Sequence, residues 1–471
     1  MARKIKVYED TTVWIEVQDI IERSKGTRLF RYEGVIHTPE EDIGVWELNT
    51  IEVIRNFVED VSSVAKITFR IGLGDYVTRV YPHRTNLEFT LKRTPMHESS
   101  AKKKTSEKPL VKRFKVIFNP KNNPPVTTSD LQTVRRENLN QVDMPELQFE
   151  LLDRCMEPLR IKTTSGCYRN KKLIDVMRAT LGYESQKVLV DGKPAIDCLD
   201  IVDPCNKAEI ANVIFPSATT LSSIPTKLQQ EIGVYNKGMG TYYQLYRDKK
   251  TWFVYPLYDS RRFDKVEYKA IFYTVPQEKL PQLDRSYWED GKILKIAVTA
   301  QRTYSDSAEI EMMNRGCGFR MPDARSYMKK PIEITEECPV GKRCNLNHEV
   351  ITKERDDGLN FAPMSGIGPS ANPFMMKSRV LAYTFAQIDL VWENADEELI
   401  YPGMPCKYVY LSQGEVLELK GQILFAHIFS SRAEKQDVQS YRTVIRLSIA
   451  VEAHRDIPVN EFKNIPGETD D

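Results

Sequence analysis

The side chains best suited to chemistry in this 471-residue chain are Cys338, Cys344 and His348, which form the spacing C-x5-C-x3-H. They are the one cluster of soft ligands within a short span. Zinc coordination wants four ligands, usually with a tighter C-x2-4-C knuckle, and Cys317 completes a set only if the fold brings it close. The spacing therefore reads most simply as an irregular loop with incidental cysteines, and no metal or other cofactor is expected. Gly366-Ile-Gly368-Pro-Ser-Ala371 matches GxGxxA. A dinucleotide site needs a strand before that motif and a helix opening across it. Pro369 and Asn372-Pro373 oppose the helix, so this too reads as a loop.

The remaining groups do not assemble a reaction. The histidines are His37, His83, His97, His348, His427 and His454, with no HExxH and no GxSxG elbow. His427 falls within the apolar stretch Ile423–Phe429, where a satisfied structural histidine is expected. Glu336-Glu337 and Asp356-Asp357 are sequence neighbours, which on a strand point to opposite faces. Two carboxylates share acid–base work only when both aim at one bond. No catalytic residue is assigned, and no enzymatic activity is expected.

The elements that would carry these residues are mostly strands. Period-two alternation marks Lys4–Tyr8, Thr12–Val17, Leu29–Ile36, Ile67–Ile71, Tyr76–Tyr81, Leu87–Leu91 and Phe114–Phe118 as half-buried strands. Ile51–Val61 fits strand or helix. The polar run between Leu91 and Val111 reads as an exposed hairpin loop, with Lys102, Lys103 and Lys104 solvated. Asn119 opens a linker, NPKNNPP, followed by a strand at Leu147–Leu151. The clearest helix spans Asn170–Leu181, capped by Asn170, with a core stripe of Leu173, Met177 and Leu181 and with Gly182 as its stop. TYYQLYRDKKTWFVYPLYD reads as a hairpin with Asp248–Lys250 at its tip, and strands follow at Lys265–Val275 and Lys292–Thr299. Residues 314–375 form a long irregular excursion. Tyr408–Leu411, Glu415–Leu419, Gln422–Phe429 and Tyr441–Val451 close the chain as strands before a polar tail.

Composition bounds the function. Lys plus Arg number 67 against 66 Asp plus Glu, a formal charge of +1, so a dedicated nucleic-acid surface is not expected. The eight cysteines are scattered, as in a reducing compartment. The N-terminal MARKIKVYED has no apolar signal region, and no apolar run approaches the ~20 residues of a membrane helix. The chain is expected to fold as a soluble protein in a cytoplasm.

Four segments, in order, resemble the baseplate central hub family of contractile-tailed bacteriophages: Leu73–Arg93, Val213–Leu245, Trp252–Phe263 with the following YTVPQEKLPQLDRSY, and Tyr401–Leu411 with Gly421–Phe429. The resemblance implies a mainly β fold, with two tail-tube-like β-barrel or sandwich domains and an α+β insertion. It implies a division into 1–118 as the first tube-like domain, 119–235 as linker and insertion, 236–313 as a β-rich segment, the 314–375 excursion, and 376–471 completing the second tube-like domain. The implied role is structural: a homotrimer adapting a sixfold tail tube to a trimeric central spike. Its implied partners are that spike, the tube or tube-initiator protein, the tape-measure protein and the baseplate wedge, in a virion built in the host cytoplasm. Three copies of two similar domains would present six faces, a direct answer to a symmetry mismatch. A host-surface or carbohydrate-binding tail-tip protein is the alternative, resting on the aromatic run Tyr242–Tyr258. A metal-dependent hydrolase is a third reading.

Overall fold

A computed structural model describes residues 11–24, 28–97, 109–123, 146–235, 238–276, 286–304, 385–412, 415–432 and 440–452, with two short paired strands between 304 and 385. Strands dominate. The first group is β1 (Arg28–His37), β2 (Asp42–Gly44), β3 (Glu47–Asn56), β4 (Val64–Arg70), β5 (Glu88–His97), β6 (Leu110–Ile117) and β7 (Glu146–Asp153). A second group is β8 (Thr163–Lys172), β9 (Leu189–Val190), β10 (Lys193–Pro194), β11 (Cys198–Ile201), β12 (Glu209–Thr220), β13 (Met239–Tyr246) and β14 (Lys249–Pro256). Then come β15 (Lys269–Thr274), β16 (Tyr287–Asp290), β17 (Ile293–Tyr304), and the short pair β18 (Arg320–Pro322) and β19 (Glu349–Ile351). The chain ends in β20 (Phe385–Trp392), β21 (Pro405–Ser412), β22 (Glu415–Arg432) and β23 (Tyr441–Glu452).

The pairings of the large mixed sheet close on themselves twice. One circuit runs β22-β3-β4-β7-β6-β5-β1-β23 and back to β22, antiparallel throughout, its β1–β23 link being the single pair Phe30–Tyr441. The other runs β22-β21-β15-β17-β20-β23, with β15 parallel to both of its neighbours. Both circuits use β22 and β23. An 18-residue β22 makes this possible, because Glu415–Gln422 pair with β21 while Phe425–Ser431 pair with β3. Gly421 lies where β22 meets β23, and a Cβ there would run into the Ala450 carbonyl oxygen. Each circuit has its own core. Phe30, Ile67, Phe69, Phe89, Leu147 and Phe149 fill the first; Phe272, Leu294, Ile296, Leu390, Trp392, Ile423 and Ile449 fill the second.

Three expected strands or boundaries differ. Thr12–Arg23 is a helix, not a strand: Val13, Val17 and Ile20, at helical spacing, are buried against Tyr273, Val275, Ala297 and Val409, while Ile15, on the period-two face, is 64% exposed. Tyr76–Val80 is also helical, and the buried Tyr76, Val77 and Val80 follow a turn rather than a pleat. The helix expected at Asn170–Leu181 begins at Leu173 and continues past Gly182 to Glu184. Asn170 instead belongs to β8 with φ +49°, a left-handed position that asparagine tolerates. The stripe of Leu173, Met177 and Leu181 is nevertheless fully buried, as a core face should be. The ambiguous Ile51–Val61 begins in strand β3, and Glu415–Phe429 is one strand rather than two. Lys4–Tyr8 lies outside the described residues, as does all of the 314–375 excursion except β18 and β19.

Candidate functional site

Strand parity dictates where the first feature of interest arises. Inward positions on a half-buried strand recur every second residue. Arg55 shares such a set with Ile51 and Val53, Arg93 with Phe89 and Leu91, and Lys112 with Phe114. Three cations from β3, β5 and β6 thus point toward the interior of the first circuit. The connection between β20 and β21 answers them. Its Asp396 accepts a hydrogen bond from the Glu398 amide (3.2 Å), setting up a short 3-10 turn at Glu397–Leu399.

That turn plugs into the cations. Arg55 donates to the Glu397 carbonyl (3.1 Å) and to its Oε2 (3.3 Å). Lys112 Nζ donates to Glu397 Oε1 (3.2 Å) and Glu398 Oε1 (2.6 Å). Arg93 donates to Asp396 and, at 3.5 Å, to Glu397, while its guanidinium lies 3.9 Å over the Phe30 ring. Arg55, Arg93, Asp396 and Glu397 are all under a tenth exposed. Burial alone would raise the Glu397 carboxyl, but Lys112, Arg55 and Arg93 outweigh it and hold it well below the usual carboxylate range. Burial opposes the Lys112 charge, and Glu397 and Glu398 more than restore it. Three cations meet three carboxylates, so the buried network is neutral. It joins the loop between β20 and β21, which belong to the second circuit, to the inside of the first.

A second connection is made by the β13–β14 hairpin. Its two-residue tip is Arg247-Asp248, both at positive φ, and Tyr246 pairs with Lys249. Alternation sends Tyr242, Phe253 and Tyr255 into the core of the second circuit, and Tyr243, Trp252 and Val254 into a separate core with Leu173, Met177, Val213 and Phe215. The hydroxyl of Tyr255 donates to the Phe57 carbonyl (2.7 Å) and that of Tyr243 to the Ala195 carbonyl (2.9 Å). The aromatic run is therefore core on both faces, which is the simpler of its two sequence readings.

The sequence candidates fall as follows. Cys338, Cys344, His348 and Cys317 lie outside the described residues, as do Gly366–Ala371 and both acidic pairs. Among the described residues no group of three or more His, Cys, Asp or Glu is placed to hold a metal. His427 is satisfied as expected, its Nε2 lying 2.7 Å from Glu52 Oε1 across the β22–β3 pair. His37 sits between Asp42 (2.6 Å) and Thr90 (2.7 Å). No described helix is long and apolar enough to cross a membrane. The ionic plug was not anticipated. Its signal was present in the inward parity of Arg55 and Arg93 and in the acidic run Asp396-Glu397-Glu398.

No family model and no curated protein matches the chain. Several solved structures share part of this chain path. The 43 kDa tail protein of prophage MuSo2 from Shewanella oneidensis is 8% identical with a TM-score of 0.42, covering 89% of this chain and 98% of its own. A PdpA–VgrG complex chain is 10% identical with a TM-score of 0.41 over 94% of this chain. The E. coli c3393 protein, a component of the type VI secretion system, is 8% identical with a TM-score of 0.40, covering 89% and 77%. This chain spans 66%, 59% and 54% of the three PdpA–VgrG chains it matches.

Proposed function

We propose that this chain is a structural subunit of the baseplate hub of a contractile tail, without enzymatic activity. In this reading it is a homotrimer that adapts a sixfold tail tube to a trimeric central spike. Its further neighbours are a tube-initiator protein, a tape-measure protein and the baseplate wedge, all within a virion. The observation that carries the reading is the double circuit of strands in one chain. Two strand circuits in each chain, repeated three times about an axis, would offer six circuits to a sixfold partner and three chains to a threefold one.

The ionic plug supports the same reading. An adaptor has to hold its two circuits at one fixed angle, and a buried set of matched charges favours one arrangement over near alternatives. The resembling segments also coincide with the framework: Trp252–Phe263 includes most of β14, and Tyr401–Leu411 with Gly421–Phe429 lies on β21 and β22. The carbohydrate-binding alternative draws little support from Tyr242–Tyr258, since Tyr242, Tyr243, Trp252 and Tyr255 are inside two cores and only Tyr246 and Phe253 line a cleft.

The test is a mass measurement of the purified chain by light scattering, alone and with a spike protein. A trimer, or a monomer that becomes a trimer when the spike is added, is the expected result. A monomer that joins neither spike nor tube protein overturns the proposal.

A further inference from the structure

Three arginines of the described residues are buried: Arg55, Arg93 and Arg262. The first two are matched by carboxylates. Arg262, 7% exposed, is not. Its Nη1 donates to the Gly403 carbonyl (2.8 Å), its Nε has no hydrogen-bond partner, and no carboxylate pairs with it among the described residues. The Tyr255 ring, at 6.0 Å from the guanidinium, is a weak substitute for a counter-ion. A buried cation without a counter-ion is costly enough that natural sequences rarely keep one idle.

Arg262 lines a cleft of about 590 Å³ between β11, the β13–β14 hairpin and Tyr401. Its walls are aromatic: Tyr246, Phe253, Tyr268 and Tyr401, with Phe253 and Tyr401 stacked at 6.0 Å. The other charges lining it mostly answer one another. Arg247 pairs with Glu289 (3.5 Å), and Glu267 pairs with Lys292 outside the cleft. That leaves Arg262, Lys249 and Asp200 on the lining, two cations to one carboxylate, a net single positive charge. Asp200 is exposed and forms no ion pair with either.

We propose that this cleft binds an organic anion, a carboxylate borne on an aromatic body, with the carboxylate on Arg262 and the ring laid against the cleft wall that Tyr246, Tyr268 and Tyr401 form by packing on one another (5.6 and 6.3 Å between ring centres). The pairing follows from the two things the cleft supplies, a guanidinium fork that takes a carboxylate and ring faces that take a flat apolar group. This goes beyond the structural role above and does not depend on it, because the cleft lies within one chain.

The experiment titrates the full chain with N-acetylphenylalanine, with its uncharged amide N-acetylphenylalaninamide, and with inorganic phosphate, following heat of binding and Tm. Saturable binding of the acid, with the amide weaker by roughly tenfold or more, is expected from loss of one charged hydrogen-bonding group. Arg262→Met should abolish the preference for acid over amide while leaving the Tm of the free protein unchanged or higher, since it removes an unmatched buried charge. Equal binding of acid and amide, or no binding of either, overturns the proposal. Phosphate binding as well as the acid overturns the part played by the rings. An Arg262→Met protein that unfolds as readily as one lacking Glu397, or that changes its oligomeric state, shows Arg262 to be a framework or interface residue and overturns the site.

Discussion

The ionic plug and the aromatic cleft use the same kind of side chain to opposite ends. At the plug, Arg55 and Arg93 come from strands of the first circuit and meet Asp396 and Glu397 from a loop of the second, with every charge answered. At the cleft, Arg262 is equally buried and unanswered within the described residues. On the proposals above, the matched charges hold one arrangement of the chain, and the unmatched one keeps a place for a ligand. The difference cannot be read from burial alone, only from what each guanidinium touches.

The sharpest way to break this comparison is to remove the carboxylate at the plug's centre. Glu397→Ala leaves Arg55, Arg93 and Lys112 short of their shared partner, and urea unfolding should record a loss of about 3–5 kcal/mol, as for other broken buried pairs. A loss below about 1 kcal/mol would mean that water already reaches the network. The same group gives a pH signature. Because Glu397 is held below its ordinary range, its contribution is complete above a carboxylate's usual pKa of 4.5 and fades as pH falls beneath that. Stability of the wild type should therefore fall more steeply on acidification than that of Glu397→Ala, measured as paired urea midpoints across that window.

Smaller effects probe the frame around the two regions. Gly421→Ala forces a Cβ against the Ala450 carbonyl at the shared β22–β23 pair and should cost about 1–3 kcal/mol in the same assay. Tyr243→Phe removes one hydroxyl from the Ala195 carbonyl and should cost about 1 kcal/mol, with no change in mass. The smallest effect on stability is expected at the cleft, where Arg262→Met should leave the urea midpoint in place or raise it.

Much of this frame was legible from the sequence, and the failures share a cause. The alternation in Leu87–Leu91, Ile67–Ile71 and Tyr441–Val451 reported strands because each is half-buried in a pleated sheet. Thr12–Val17 alternates equally well, yet forms a helix, because Val13, Val17 and Ile20 satisfy a second period that only the position of the β15–β17 surface selects. Tyr76–Tyr81 fails likewise. That one β22 serves two circuits is a consequence of long-range pairing, which no local pattern encodes. The ionic plug was half legible: inward parity marks Arg55 and Arg93 as unusual, but their partner lies more than 300 residues away. Arg262 carried no local signal at all, since it lies in a four-residue helix with charged neighbours.

The proposed adaptor role requires that the two strand circuits of one chain become six when three copies surround one axis. Averaged electron micrographs of the chain assembled with its spike, viewed along the axis, test it most directly. Six similar lobes alternating about a threefold centre are predicted; three lobes, or a twofold particle, would contradict the account.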